Sequence, residues 1–285
     1  MTKFSPRPGP SLRAMSKSSP RPGSSLRATS KTFRRPAMNL WRLEWLRLFR
    51  TKRIVGLVGV YVFFGLLGPL TARYMEDIVE NFGGGVQVVV PDPVAADGIT
   101  SYVANAAQIG LLVSVGLAAA ALAFDAKPQM GIFLRTRARR ITDILLPRFV
   151  VITAAVVASF VLGSIAALYE SVVLIGPIPI GDWALGTLIG SMYLVFAMAV
   201  VAAVSARARS VLVIVMISVG VLLLMPLVSI APDIAEWLPS HLVGAVDGLV
   251  RDRGFGDYIP SLVVTATLTG FLLWLAVRWA EQREL

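Results

Sequence analysis

Six long apolar runs separated by polar segments dominate the hydropathy pattern between residues 54 and 277. Each run is close to the roughly 17 to 25 residues that an α-helix needs to cross the hydrocarbon core of a bilayer. The composition agrees, because 56% of the residues are hydrophobic and only 15% are charged. The sequence therefore predicts an all-α membrane protein with six transmembrane helices. The predicted spans are Ile54–Leu70, Tyr102–Phe124, Phe149–Tyr169, Trp183–Ser205, Ser210–Ala231 and Ser261–Val277.

Basic residues divide unevenly between the two sides of these predicted spans. After residue 37, 15 of the 18 Lys and Arg residues lie on the side of the N-terminus, and three lie on the opposite side. Loops rich in Lys and Arg stay in the cytoplasm. We therefore expect a multi-pass protein of the plasma membrane with both termini cytoplasmic. Orientation and anionic lipid account for the net charge of +10, so we expect no nucleic-acid binding.

Two segments precede the first predicted span. Residues 1–37 are rich in Ser, Pro, Arg and Gly, and a 14-residue segment occurs there twice in tandem. We expect this basic arm to be disordered, because it has little apolar surface to bury; it either contacts anionic lipid or is dispensable. A single six-helix domain is expected over 38–285. Its first residues place Trp41, Trp45, Leu48 and Phe49 on one helical face, which predicts an interfacial helix before the first span.

The segment 125–148 is a basic island between the second and third predicted spans. It contains six Lys or Arg residues, and Ile132, Phe133, Ile141, Ile144 and Leu145 can share helical faces. This pattern favours a cytoplasmic helix that lies on the membrane surface or docks onto a protein. The alternative is a solvated loop that only fixes the topology.

Several kinds of chemistry are missing from the sequence. The six predicted spans contain no Asp, Glu, Lys, Arg or His, although ion-coupled carriers usually place such groups at membrane depth. His241 is the single histidine and has no His-Glu-x-x-His context, and no phosphate-binding loop of the Gly-x-x-x-x-Gly-Lys-[Ser/Thr] type is present. We therefore expect no metal site and no enzyme activity in this chain, so any energy would come from a partner.

The second predicted span is the most polar of the six. It carries Asn105 and Gln108, which are costly to expose to lipid. The span also carries a stripe of small residues four positions apart, a spacing that allows another helix to approach closely. Gly186 and Gly190 have the same spacing in the fourth span. We assign Asn105, Gln108, Gly110 and Ser114 to a helix interface or a substrate pathway. The four-residue stripe of small side chains consists of Ala106, Gly110, Ser114 and Ala118.

The second span has a proline-rich entry at Pro91, Asp92 and Pro93, the polar residues Asn105 and Gln108 within it, and the basic island at 127–140 after it. With these features the chain, from about Met38 to its end, resembles an actinobacterial permease of the type-2 ABC exporter family. The resemblance implies six spans with cytoplasmic termini, an interfacial helix before the first span, a cytoplasmic coupling helix between the second and third, and short helices before the sixth. A proline-rich entry to the second span, its polar residues and the basic island carry the resemblance. The residues are Pro91, Asp92, Pro93, Asp97, Tyr102, Asn105, Gln108, Ile109 and Gly110, followed by the island at 127–140.

The resemblance places ATPase coupling in the basic island, at Gly131, Phe133, Leu134, Arg135 and Arg139. Phe133 and Leu134 would fill a cleft in the ATPase, and the two arginines would pair with acidic groups or lipid phosphate. The chain departs from the family at the entry to the coupling helix. Members of the family commonly have Glu with a Gly-Thr or Gly-Ser step there, whereas this chain keeps only the glycine, Gly131.

These expectations combine into one hypothesis for function. The chain would be the permease subunit of an ATP-driven ABC exporter, with an amphipathic or apolar cargo. Its partners would be the lipid bilayer, a second permease subunit, identical or paralogous, and separate cytoplasmic ATPase subunits. The chain itself would hold no cofactor, since ATP and Mg would bind the ATPase. The alternative is a non-transporting membrane scaffold or assembly subunit that anchors a soluble partner.

Overall fold

A computed structural model describes residues 40–75, 77, 79, 93–123, 142–229 and 232–282. All of them belong to one compact unit, Asn39–Leu285, and every regular element among them is helical. In chain order the helices are α1 (Leu40–Arg50), α2 (Arg53–Arg73), α3 (Ala95–Leu122), α4 (Thr142–Leu174), α5 (Ile180–Ser205), α6 (Val211–Val228), α7 (Pro232–Ala235), α8 (Ala245–Val250) and α9 (Ile259–Gln282), with 3₁₀ turns at Pro239–Gly244 and Phe255–Tyr258.

Six of these helices are long and apolar enough to cross a membrane, namely α2, α3, α4, α5, α6 and α9. The predicted number of spans is confirmed, but several helix ends differ from the apolar runs. Helix α4 begins at Thr142 rather than Phe149 and ends at Leu174 rather than Tyr169. Backbone hydrogen bonding continues into polar residues that hydropathy excludes. The helices therefore carry charged residues near their ends, such as Asp97, Arg148 and Glu170, although the apolar runs carry none.

Helix α1 is separated from α2 by a sharp break in the backbone. Lys52 adopts a left-handed conformation with φ of 53°, which ends the α1 helix before α2 begins. The predicted apolar face of α1 divides in the structure. Leu48 is buried, whereas Trp41, Trp45 and Phe49 remain exposed. The aromatic side chains therefore form a separate, exposed face of this helix.

Close helix packing at glycine joins α2, α3 and α4 into a three-helix group. Gly65 of α2 faces the backbone carbonyl of Gly163 in α4, with no room for a Cβ atom. A Cβ atom at Gly163 would lie 2.5 Å from the Tyr61 carbonyl oxygen and 2.7 Å from the Tyr102 hydroxyl oxygen. Small residues permit such close approach between helices in membranes. These contacts fix the position of α3, which carries the polar residues of interest.

Helix α5 is the central helix of the remaining elements. In its most apolar 18-residue window, 78% of the residues are buried, compared with 17% for both α6 and α9. Gly186 lies against the backbone of Ala245 and Val246, so helix α8 packs directly on α5. Between α6 and α9 the chain forms the short elements α7, α8 and the two 3₁₀ turns.

Consecutive spans alternate in direction, which gives the bundle two distinct ends. The α1 end contains helix α1, the C-terminus of α3 and the start of α4, where Arg148 contacts Glu44. The α8 end contains α8 and the start of α3, where Arg251 contacts Asp97. The described charged contacts therefore fall into two groups, one at each end of the bundle.

Candidate functional site

A cavity of about 880 Å³ lies between α3, α5, α6 and the 3₁₀ turn Pro239–Gly244. Its wall is mostly Ala, Leu and Val, and its polar side chains are Gln108, Tyr193, Ser229, Ser240 and His241. Among the lining residues that the structure describes, none is Asp, Glu, Lys or Arg. Ligand pockets commonly have volumes of roughly 300 to 1,000 Å³ and combine apolar walls with a few polar groups. The cavity is thus suited to a small molecule of mainly apolar character.

Gln108 reaches the cavity from a π-helical turn in α3. This turn comprises Ala106–Gly110 and interrupts the α-helical hydrogen bonding of the span. Ala106 and Gly110 are buried, whereas Gln108 and Ile109 are exposed. Single π-helical turns within α-helices occur frequently at functional sites. Here the turn presents the amide side chain of Gln108 to the cavity, and the other residues of the turn are apolar or glycine.

Gly110 and Ser114 lie on the opposite face of α3, against Tyr61 of α2. A Cβ atom at Gly110 would lie 2.8 Å from the Tyr61 ring. The Ser114 hydroxyl donates to the Gly110 carbonyl oxygen at 2.8 Å, so the Tyr61 hydroxyl donates to Ser114 across 3.1 Å. Asn105 is half-buried, and its amide nitrogen donates to the Ser101 carbonyl oxygen at 2.8 Å. Of the four predicted residues, Gln108 therefore lines the cavity, Gly110 and Ser114 lie at the interface with α2, and Asn105 bonds within its own helix.

The predicted coupling residues lie outside the described part of the chain. They are Gly131, Phe133, Leu134, Arg135 and Arg139. The two helices that flank this segment are described, and Arg148 of α4 links α1 to the end of α3. The Nε atom of Arg148 in α4 donates to Glu44 of α1 at 2.8 Å, and its Nη1 atom lies 3.5 Å from the Ala121 carbonyl oxygen in α3. Arg148 is only 4% exposed.

A second charged network lies at the α8 end. Arg251 donates to Asp97 of α3 at 2.6 Å and to Asp247 of α8 at 2.7 Å. Hydrogen bonds to these two carboxylates raise the pKa of Arg251 above its usual value. Thr100 of α3 donates to Asp247 as well. The network attaches α8, and with it the adjoining 3₁₀ turn of the cavity, to the start of α3.

His241 belongs to this 3₁₀ turn and lines the cavity. Its ring stacks on Tyr258 with a centroid distance of 4.9 Å. Ser261 donates its only hydroxyl proton to the Glu236 carbonyl oxygen, so the Nδ1 atom of His241 donates to Ser261 at 3.1 Å. Burial, and secondarily Arg253, lowers the pKa of His241. The ring is therefore neutral at pH 7, with Nε2 left as an acceptor.

Sequence reasoning did not identify three of these features: the Arg148–Glu44 pair, the Arg251 network and the position of His241 at the cavity. Glu44 was an available signal, because it is the only acidic residue among five basic ones in residues 38–53. A carboxylate in that setting is expected to pair with one of them or with a distant arginine. Among the described residues, no three or more His, Cys, Asp or Glu side chains form a group that could hold a metal ion.

The six spans and the buried contacts between them define a multi-pass α-helical membrane protein. The chain is 20% identical over 250 residues to the uncharacterized transmembrane protein YxlG of Bacillus subtilis (strain 168), and the match covers 86% of this chain and 97% of that protein. No family model and no solved structure matches the chain. The similarity to a transmembrane protein agrees with the assignment to the membrane.

Proposed function

We propose that the protein is the transmembrane permease subunit of an ATP-driven ABC exporter. The observation that carries this proposal is the cavity of about 880 Å³ between α3, α5, α6 and the 3₁₀ turn. Gln108 and Tyr193 supply polar groups to it from within the spans. A scaffold needs no such cavity at membrane depth, whereas a transport pathway does. ATP and Mg would bind to a separate subunit.

The order of the smaller elements supports the same proposal. Helix α1 precedes the first span, and several short helices precede the last, as in the type-2 ABC exporter family that the sequence resembles. The segment 124–141 joins α3 and α4 at the α1 end, where a cytoplasmic ATPase would dock. We assign the predicted coupling residues to this docking surface on the strength of the resemblance.

A second permease subunit would complete the pathway. Gln108 is exposed on α3, and a polar side chain facing lipid is costly. The neighbouring helix α6 is buried over only 17% of its apolar window. Pairing of two permease subunits along α3 and α6 would cover Gln108 and close the open side of the cavity.

The lining also indicates the cargo. Neutral hydrogen-bonding groups and apolar walls fit an uncharged amphipathic molecule, because burying an unpaired charge among them would be expensive. The Gln108 amide, the Tyr193 hydroxyl and the neutral His241 ring would each hydrogen-bond a polar group of the cargo.

We expect the α1 end to face the cytoplasm of the plasma membrane. The natural chain contains no cysteine, so single cysteines can report sidedness. Ser210 and Gly256 are both exposed, and a Cβ atom at Gly256 meets no neighbour within 4 Å. In intact cells, an impermeant thiol reagent should label Gly256→Cys and spare Ser210→Cys. The reverse pattern would contradict the proposed orientation.

The test of function begins with the partner. Tagged protein purified from its own membranes should bring with it a nucleotide-binding subunit that hydrolyses ATP. If a soluble protein without ATPase activity is recovered instead, the scaffold hypothesis replaces the permease hypothesis.

The cavity is tested separately with a neutral, environment-sensitive dye such as Nile red. Ala107→Trp places an indole ring inside the cavity. We expect dye affinity to fall about tenfold or more, because displacing one large buried apolar group costs roughly 1.5–3 kcal/mol. Ala266→Trp on the exposed face of α9 is the matched control. Equal dye binding by both variants would contradict the assignment of this cavity as a binding site.

A further inference from the structure

A small pocket at the α1 end brings three arginines together. It lies where α1 meets the start of α2, the end of α3 and the start of α4, and Arg47, Arg53, Arg148 and Glu44 line it. Its volume of about 30 Å³ suits one compact chemical group rather than a whole metabolite. Apolar side chains complete the wall: Leu48, Leu117, Val151 and Ile152.

The charges around this pocket do not balance. Glu44 is engaged by the buried Arg148 at 2.8 Å, so this arginine is neutralised. The guanidinium of Arg47 is 3.8 Å from the other oxygen of the same carboxylate and remains 38% exposed. Arg53 is half-buried beside them. Among the described residues that line the pocket, three carry a guanidinium group and one, Glu44, carries a carboxylate, so this part of the lining is net positive.

The start of α2 adds to the positive potential. The residue before this 21-residue helix is Lys52, and no side chain caps the first backbone amides. The N-terminus of a helix carries a partial positive charge and favours anions. Arginine recognises the oxygens of phosphate through several N–H donors held in one plane. The pocket therefore has the donors and the charge that a phosphate ester requires.

The adjoining face of α1 indicates where that phosphate comes from. Trp41, Trp45 and Phe49 are exposed beside the pocket, by 40%, 38% and 56%. Aromatic side chains next to basic residues settle at the level of lipid headgroups. At that depth the phosphate groups of the bilayer are the most concentrated anions available.

We propose that Arg47 and Arg53 bind the phosphate of an anionic phospholipid at this pocket. The buried pair of Arg148 and Glu44 positions the site by fixing α1 against α4. This site is independent of the proposed transport function, because it needs no cargo, nucleotide or second subunit. It would attach α1 to one leaflet at a defined position.

The experiment measures lipid binding to the purified full-length protein by native mass spectrometry. Phosphatidylglycerol and phosphatidylcholine with identical acyl chains serve as the probes. We expect a clear preference for phosphatidylglycerol. In the double variant Arg47→Gln with Arg53→Gln, the affinity for phosphatidylglycerol should fall about 30-fold, because each basic residue near a charged surface contributes about 1 kcal/mol. The matched control, Arg42→Gln with Arg50→Gln, removes two exposed charges of α1 and should retain the affinity for phosphatidylglycerol.

Further measurements separate the remaining outcomes. If the double variant does not fold, Arg53→Gln alone should lower phosphatidylglycerol affinity roughly fivefold. Inorganic phosphate in excess should not displace the lipid, since it lacks the acyl chains. Equal losses in the test and control variants would overturn the proposal, and so would displacement by inorganic phosphate.

Discussion

Gly163→Ala is expected to lower the free energy of unfolding by about 1–3 kcal/mol, as over-packing of a tight core does. The added methyl group would lie 2.5 Å from the Tyr61 carbonyl oxygen and 2.7 Å from the Tyr102 hydroxyl oxygen. The first of these is backbone, so it cannot rotate away. The second donates a hydrogen bond to the Phe160 carbonyl oxygen at 2.6 Å, which would also be disturbed. The midpoint of thermal unfolding in detergent measures the effect.

Gly270→Ala is the matched control for this substitution. It lies in the long helix α9, and a Cβ atom there meets no neighbour within 4 Å. Alanine is more favourable than glycine inside a helix by roughly 0.5–1 kcal/mol. This variant should therefore keep or slightly raise the unfolding midpoint. Similar midpoints for the two variants would contradict the close packing of α2 against α4.

Glu44→Ala should cost about 3–5 kcal/mol of unfolding free energy, the range for removing one partner of a buried ion pair. The Glu44 and Arg148 side chains are 11% and 4% exposed, with 2.8 Å between Nε and Oε1. The substitution leaves the Arg148 guanidinium buried without its carboxylate. Unfolding of the purified protein at several denaturant concentrations provides the measurement.

Two comparisons test whether the burial of the Glu44–Arg148 pair is the reason for this large expected loss of stability. Exchanging the charges, Glu44→Arg with Arg148→Glu, should recover part of the lost stability because the attraction is restored. Asp247→Ala removes a similar partner from Arg251 at the α8 end, where the arginine is 39% exposed. Exposed pairs contribute roughly 0–1 kcal/mol, so this loss should be small. A loss as large as that of Glu44→Ala would refute the argument from burial.

The number of spans could be predicted from the sequence because the bilayer imposes a minimum length on every apolar helix. The ends of the helices could not be predicted in the same way. Hydropathy records where residues prefer lipid, whereas a helix continues as long as its backbone hydrogen bonds are favourable. Helix α4 starts at Thr142, which brings the polar Arg148 into a span predicted to begin at Phe149.

The polar residues of the second span could be selected from the sequence, but not divided between its two faces. A stripe of small residues every four positions advances about 40° per step around an α-helix of 3.6 residues per turn. Ala106, Gly110, Ser114 and Ala118 are nevertheless all buried. The π-helical turn Ala106–Gly110 holds more residues per turn and offsets part of this drift.

Contacts between distant segments were beyond prediction from one sequence. Glu44 and Arg148 are separated by 104 positions, and Asp97 and Arg251 by 154. Neither pair follows a local helical spacing. Their partners become apparent only when α1 packs on α4 and α8 on α3.

The spans differ greatly in length, and the difference bears on the shape of the surrounding membrane. Helix α6 has 18 residues and α4 has 33, which correspond to about 27 Å and about 50 Å at 1.5 Å per residue. The hydrocarbon core is about 30 Å thick, so we expect the bilayer to become slightly thinner beside α6. A span that is too short draws the two leaflets together at a modest energetic cost for each ångström. Lipids with shorter acyl chains should therefore gather at the open side of the cavity, and a thick, sterol-rich bilayer would destabilise this part of the protein most.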